Sequence, residues 1–424
     1  MKNRRRFLKT LGSGLAGSVF ITSYAARTNV TTSSSLPFSP VTDHNSETFW
    51  ETIAAQFEFA PKLRYFNNAS LGPSPKAVQQ AMVAYRHTLD GFPSKYMWGD
   101  WDDEKEEVRK KVATFFSTSE EEIALVHNTT EGMNVIARSF DLQAGDEVLL
   151  ADHEHASGTI PWKVWQEEKG ILLVRPTLPI LPKSKAEIVA CYENAITAKT
   201  KVISMCHIVN TNGMILPVKE IAQMAHKKGI LVAVDGAQSA GMLKIDLHDL
   251  GCDFYVASAH KWLFSPKGIG VFYAKKDSQH HLKPLMVARG YDDPSIRRLE
   301  NYNTRNLPEV LGLGTAIDFC NTLGLQKIHE RSYALKAYFR SKIEHHPKLV
   351  LKTPALDALS AAIQVVEVVG REVKGVKEQL FDTYGIDCRP MRGFQLNALR
   401  FSFAIYITKK DIDYLVAALE DIAT

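Results

Sequence analysis

The chain has 424 residues, 45% of them hydrophobic, which is ample for a sizeable core and points to two domains. Its 51 basic and 47 acidic residues give a formal charge of +4, but Lys2, Arg4, Arg5, Arg6 and Lys9 lie in the first 25 residues, which carry no acid. Taking these five from 51 leaves 46 basic against 47 acidic, so the remainder has no charge excess to draw it to nucleic acid or an anionic membrane.

The N-terminus explains the lost charge. Arg4-Arg5-Arg6-Phe7-Leu8-Lys9 is followed by a weakly apolar run to Ile21 and by Ser23-Tyr24-Ala25, a small-x-small cleavage pattern. The hexapeptide resembles the twin-arginine export motif. Residues 1–26 are therefore expected to be a signal peptide rather than a membrane span, with export to the periplasm or beyond. A disordered basic tail is the plainer alternative. Residues 27–45, rich in Thr, Ser and Asn, read as a linker. No later segment is long and apolar enough to cross a bilayer.

Tyr65 to Pro75 is a short strand entering a Gly/Pro turn, with Asn68 and Ser70 on the turn and a helix from Lys76 to about Leu89 after it. Trp98 and Trp101 follow, either as a helix entry packed on the core, which is the favoured reading, or as a cavity wall. Ile123–Val126 is a brief strand, and His127-Asn128-Thr129-Thr130-Glu131 opens a helix to about Phe140. Asn128 and Glu131 have the spacing of a reciprocal N-terminal cap. The same exposed N–H groups could grip a phosphate.

The strand from Glu147 ends on Asp152-His153-Glu154-His155. These residues alternate on an exit loop and share no helical ligand face, so no metal site is expected. His153 is assigned to the surface or to a layer behind the site. Val202–Cys206 is the next strand and leads to Asn210, and a helix from Val218 to Lys228 follows. Strands and helices alternate from about 120 to 275, the pattern of a parallel sheet covered by helices on both faces.

The stretch from Gly229 to Gly270 organises the chain. An apolar run, Ile230–Val234, stops on Asp235, and a second, Phe254–Ala257, stops on Ser258-Ala259-His260-Lys261. Ligands of parallel sheets sit beyond strand carboxyl ends, so Asp235 and Lys261 can face one cavity. Pyridoxal phosphate needs a lysine to hold it and a carboxylate near its ring nitrogen. An ordinary ion pair at the sheet edge satisfies the spacing equally well.

The flanking residues separate the two. Val234-Asp235-Gly236-Ala237-Gln238-Ser239 and Ser258-Ala259-His260-Lys261 resemble the cofactor signature of the class V aminotransferases. These are fold-type I pyridoxal phosphate enzymes that include cysteine desulfurases and isopenicillin N epimerases. The resemblance runs from about residue 60 to the C-terminus. It implies a large, mostly parallel α/β domain over 76–305, a smaller α+β domain over 306–424, and an N-terminal arm over 46–75 that helps build the site. It implies Lys261 as the Schiff-base lysine, Asp235 at the pyridine nitrogen, Gln238 and Asn210 near the ring hydroxyl, and Ser258 and His260 near the phosphate.

Other segments gain roles from the same resemblance. Asn128, Thr129 and Thr130 fall on the family's phosphate loop. His155, counted from the Pro161-Trp162 pair, falls on the histidine that stacks on the ring. Asn68 and Ser70 fall on a segment bordering the substrate. Thr304, in Tyr302-Asn303-Thr304-Arg305-Asn306, falls on a loop that reaches the partner's phosphate in dimeric relatives, and Arg305 is a candidate for substrate or phosphate, or simply for a surface pair. A homodimer is expected on this ground.

Near the C-terminus, strands are expected around 362–369 and 397–402, with helices after Glu372 and Lys410. Asn397 to Tyr406 resembles the family's last strand, whose arginine, here Arg400, binds the substrate α-carboxylate through the planar two-point grip that only guanidinium offers. The family's Asn after that Tyr is Ile407 here. Of the five cysteines, Cys388 alone lies near the loop that carries the reactive thiol of the desulfurases, but no histidines flank it and it falls on a strand. The loop is closer to the epimerase-type branch. The expectation is an exported enzyme working at Cα of an amino acid or peptide-like amine, as an aminotransferase or epimerase. A C–S or sulfoxide lyase, and a non-catalytic cofactor-binding protein, are the alternatives.

Overall fold

A computed structural model describes residues 46–424; the signal peptide and linker expected over 1–45 lie outside the described residues. The described chain opens with helix α1 (Glu47–Ala54), capped by the Ser46 side chain, and a short strand β1 (Arg64–Tyr65). Helices α2 (Lys76–Gly91) and α3 (Asp102–Phe115) follow. Trp101 enters α3 buried against Tyr85 and Tyr96, as the core reading expects. Trp98 does not share its fate. It is 61% exposed and lines neither core nor cavity.

The central sheet holds β2 (Ile123–Val126), β3 (Glu147–Leu149), β4 (Leu172–Val174), β5 (Thr200–Cys206), β6 (Leu231–Asp235), β7 (Phe254–Ser258) and β8 (Gly270–Ala274). Their spatial order is β2-β8-β7-β6-β5-β3-β4, and β8 alone runs against the rest. The crossovers include α4 (Thr129–Ser139), α5 (Ala156–Lys169), α6 (Lys185–Ala195) and α7 (Val218–His226). Because helices cover both faces, β2, β6, β7 and β8 are buried almost end to end, which is why their sequences are unbroken apolar runs rather than alternating ones. The chain leaves β3 outward to β4 and returns to β5, so the topological switch lies between β3 and β5.

Beyond the central sheet come α8 (Leu307–Leu323) and α9 (Leu325–Ile343), then strands β9 (Leu349–Leu351) and β10 (Ile363–Val368), helix α10 (Val373–Tyr384), strands β11 (Ile386–Asp387), β12 (Arg389–Gly393) and β13 (Leu396–Ser402), and helix α11 (Lys409–Ala423). A four-stranded antiparallel sheet runs β12-β13-β10-β9, and β11 pairs in parallel with β1. The N-terminal arm is thereby stitched to the C-terminal layer: Ser402 N–H donates to the Phe66 carbonyl at 2.7 Å. The fold is an α/β protein with a large, mostly parallel sheet and a small antiparallel one, as the sequence implies. Among the described residues no helix is long and apolar enough to cross a membrane.

Candidate active site

A cavity of ≈ 250 Å³ opens at the carboxyl ends of the parallel strands. Each strand sends in the residues that follow it: Asn128, Thr129 and Thr130 after β2, His155 and Ser157 after β3, Cys206, Ile208 and Asn210 after β5, Asp235, Ala237 and Gln238 from β6, and Ser258, His260 and Lys261 from β7. The N-terminal arm adds Ser70. A second hollow of ≈ 320 Å³, with Ile160, Val164 and Trp165 in its wall, shares Thr130, His155 and Ser157 with the first.

Asp235 is buried, and its carboxylate accepts the Ala237 N–H at 2.9 Å. Burial pushes its pKa up, while that N–H and the nearby charges of Lys261 and His155 pull it back. Lys261 stands in the turn after β7. Burial brings its amine down to about 8, Asp235 opposes that shift, and Arg400 adds to it. A substantial neutral fraction at physiological pH makes the amine a usable nucleophile and base.

The lysine backbone is held from the N-terminal arm. Gly72 N–H donates to the His260 carbonyl at 2.9 Å, and the Asn68 amide donates to the Lys261 carbonyl at 3.3 Å. A Cβ on Gly72 would come within 2.1 Å of the Lys261 carbonyl oxygen, so glycine is what permits the arm to lie there. Asn68 therefore does not line the cavity: it is fully buried, holds Lys261 and accepts the Tyr406 hydroxyl at 3.4 Å.

The segment that the resemblance assigns to the phosphate is a helix N-terminus. Asn128 Oδ1 accepts the Glu131 N–H at 3.0 Å, so Asn128 caps α4. The cap is not reciprocal: Glu131 turns its carboxylate to the backbone and ring of His127, both at 2.7 Å. Ser258 Oγ accepts the Thr129 N–H at 3.0 Å and shares a hydrogen bond with the Thr129 hydroxyl at 2.9 Å. These contacts, with Gly132 N–H on the Asn128 carbonyl, leave the Thr130 N–H at the positive helix end for an anion. His260 Nδ1 is buried with no partner among the described residues, and burial brings its pKa down to about 4.

His155 caps α5, its Nδ1 accepting the Ser157 N–H at 3.2 Å and meeting the Ser157 hydroxyl at 2.7 Å. This fixes the ring and leaves Nε2 as the other proton site. Burial lowers its pKa, with Asp235 opposing. His153 is buried, not at the surface: Thr211 holds its Nδ1 at 2.9 Å and the Phe394 ring packs on it. Gln238 is committed on both ends, donating to the Ala69 carbonyl at 2.7 Å and accepting the Trp262 indole N–H at 2.9 Å.

Arg400 reaches the cavity edge from β13. Its guanidinium donates to the Asn210 carbonyl at 2.9 Å, the Ser70 hydroxyl at 2.7 Å and Asn67 Oδ1 at 3.4 Å. Among the described residues no carboxylate partners it, and Nε is buried and unpaired. Burial pulls its pKa down to about 10, with Arg389 adding to the shift. A buried cation with no counter-ion is costly unless a ligand supplies one.

Arg305 does not reach the cavity: it is turned to Glu300 at 4.0 Å, beside the buried Arg109–Glu300 pair. Thr304, expected to serve a partner's phosphate rather than its own chain's, is exposed and outside the cavity of its own chain. Conversely, sequence reasoning missed Asn67 and Glu154. The Glu154 carboxyl is buried, accepts the Cys206 N–H at 3.1 Å, and is pushed by burial up to about 8. The signal is present in the sequence, an acid on the loop after a buried strand, but nothing local distinguishes it from Asp152 two positions earlier.

The family described as Aminotransferase class-V matches residues 64–415. The isopenicillin N epimerase of Amycolatopsis lactamdurans is 29% identical over 395 residues, covering 89% of this chain and 99% of that protein. A cysteine desulfurase of Serratia proteamaculans (strain 568) is 32% identical over 391 residues, covering 85% and 93%. Among solved structures, a cysteine desulfurase of Escherichia coli superimposes with a TM-score of 0.77 at 24% identity, covering 88% of this chain and 98% of its own. Pyridoxal phosphate is the cofactor, and the lining fits it: a buried carboxylate, a perturbed lysine, an unpartnered imidazole nitrogen and a hydroxyl-lined helix end share one cavity.

Proposed function

Because the chain belongs to the class V aminotransferase family, we propose that it is an exported enzyme that moves a proton at the α-carbon of an amino acid, as an aminotransferase or epimerase. Bound pyridoxal phosphate supplies an electron sink for negative charge at that carbon. The chain's own residues do the rest. The Thr130 N–H and the Thr129 and Ser258 hydroxyls would receive the phosphate, Asp235 would keep the ring nitrogen protonated, and Lys261 would hold the cofactor covalently. Arg400 takes the substrate carboxylate. Lys261, once exchanged by substrate, and His155 are the groups able to carry protons.

The observation that carries this reading against desulfuration is the β12–β13 connection. It is a tight turn on Phe394 and Gln395, both at positive φ (50° and 59°), with no room for a mobile loop. Cys388, before it, is 2% exposed, and burial pushes its thiol well above the usual range, so little thiolate forms. Cys388→Ala is expected to keep turnover within about a factor of two, as for a small buried apolar swap. Complete loss of turnover would return the protein to persulfide chemistry.

The reaction itself is tested on holoenzyme with a panel of amino acids. Conversion of the lysine-bound cofactor spectrum to that of pyridoxamine marks transamination. Solvent deuterium entering Cα with the spectrum retained marks epimerisation. Sulfide and pyruvate released from cysteine-like substrates, with Cys388→Ala equally active, would replace both by a C–S lyase.

Two further elements belong to the same proposal. Thr304, exposed on a loop beside Asn303 at φ 56°, is assigned to the phosphate of a second copy; sedimentation as a monomer would remove that role. Export follows the twin-arginine motif, a route that carries folded proteins and so suits an enzyme that loads its cofactor first. Finding the protein only in the cytoplasm, at full length, would end it.

A further inference from the structure

Arg400 has a twin. In the β12–β13 ladder Arg389 is the residue directly opposite Arg400. Residues opposite each other in an antiparallel pair share a sheet face, with Cβ atoms about 5 Å apart. Arg400 points to Ser70 and Asn210 at the cavity edge, so Arg389 is on the cavity side of the sheet. Its charge acts on both His155, which lines the cavity, and Arg400.

Like charges directly opposite in a ladder destabilise it, and a carboxylate normally offsets them. None does here. Arg389 makes no ion pair or hydrogen bond with any described residue, and the nearest acid in sequence, Asp387, is held by the Asn67 amide at 3.0 Å. The contrast is Arg392, on the same strand but on the opposite face, which pairs with Glu372. The hairpin has an acid for the arginine that faces away from the cavity and none for the two that face it. Arg389 is also exposed, so it is open to a ligand entering from solvent.

We propose that Arg389 is a specificity-determining residue that binds a second anionic group on the substrate's side chain, making the preferred substrate an α-amino acid with an acidic side chain. Arg400 holds the α-carboxylate and Arg389, one strand away, holds the distal anion. This rests on the reading that an α-amino acid is the substrate.

The test is a spectral titration of the holoenzyme with aspartate and glutamate against their neutral isosteres asparagine and glutamine, in wild type, Arg389→Gln and Arg389→Lys. Wild type is expected to bind the acidic member of each pair about ten-fold more tightly or better. Arg389→Gln is expected to collapse that ratio to near one, and Arg389→Lys to restore part of it, since the charge returns without the planar fork. Equal weakening of acidic and neutral ligands by Arg389→Gln would overturn the inference, because it would make Arg389 a support for Arg400. So would a wild-type enzyme that does not prefer acidic ligands. Neutral amino acids that shift the spectrum while acidic ones do not sink this inference alone; a cofactor-loaded protein that responds to none of the four sinks the proposed amino-acid chemistry with it.

Discussion

Lys261→Ala is expected to lower turnover by about 10³-fold or more and to abolish the visible absorption of lysine-bound pyridoxal phosphate, while the fold and its melting temperature survive. The size follows from two roles lost together, the covalent anchor and the proton carrier. The survival follows from where the side chain is. The amine sits in a cavity rather than in packed core, and burial makes its charge costly there, so alanine removes no stabilising ion pair. The neighbouring contacts that organise the turn, Gly72 to His260 and Asn68 to Lys261, are to backbone carbonyls and remain.

A pH dependence accompanies it. With the amine at about 8, capture of added pyridoxal phosphate by apoprotein requires the deprotonated form. The rate is expected to rise about ten-fold per unit below pH 8 and to level above it. An ordinary lysine would keep climbing towards pH 10. Stopped-flow absorbance separates the two curves, and a profile still rising at pH 10 would mean that burial does not lower this amine.

Much of this site was legible because parallel strands write it plainly. An apolar run buried on both faces cannot be mistaken for a surface element, and the polar residue that ends it must stand at the strand's carboxyl end. That logic located Asp235, Ser258 and Lys261, and the capping pattern located α4. What it cannot see is orientation within a loop. Arg305 lies in a segment of the expected type, yet Glu300 captures it, because a buried carboxylate already paired to Arg109 offers a better partner than an open cavity. Gly72 looks like any turn glycine; only the 2.1 Å approach to Lys261 distinguishes it. Glu131 chose His127 over its reciprocal cap because two donors, backbone and ring, lie there together. Contacts made across long stretches of chain, 330 residues for Arg400 with Ser70 and 193 for Asn68 with Lys261, have no local pattern at all.

Arg400→Lys is the second large effect, and it separates binding from chemistry. The guanidinium is tied at three points, to Asn210, Ser70 and Asn67, which fixes its plane before a substrate arrives. A lysine reaches the same region as a point charge and can keep only one or two of those ties. The two-point grip on the α-carboxylate is lost, and with it the alignment of the α-carbon towards Lys261. KM is expected to rise by about 100-fold, with kcat falling as well because the bound amino acid is no longer held in one orientation. The cofactor spectrum in the absence of substrate should not change, since Arg400 contacts neither the helix N-terminus of α4 nor Asp235. That unchanged spectrum is what makes the result decisive. A variant that loads cofactor normally and has lost substrate affinity identifies Arg400 as the carboxylate site. One that has also lost cofactor would show instead that Arg400 acts by holding the N-terminal arm, through Ser70 and Asn67, against the turn that carries Lys261.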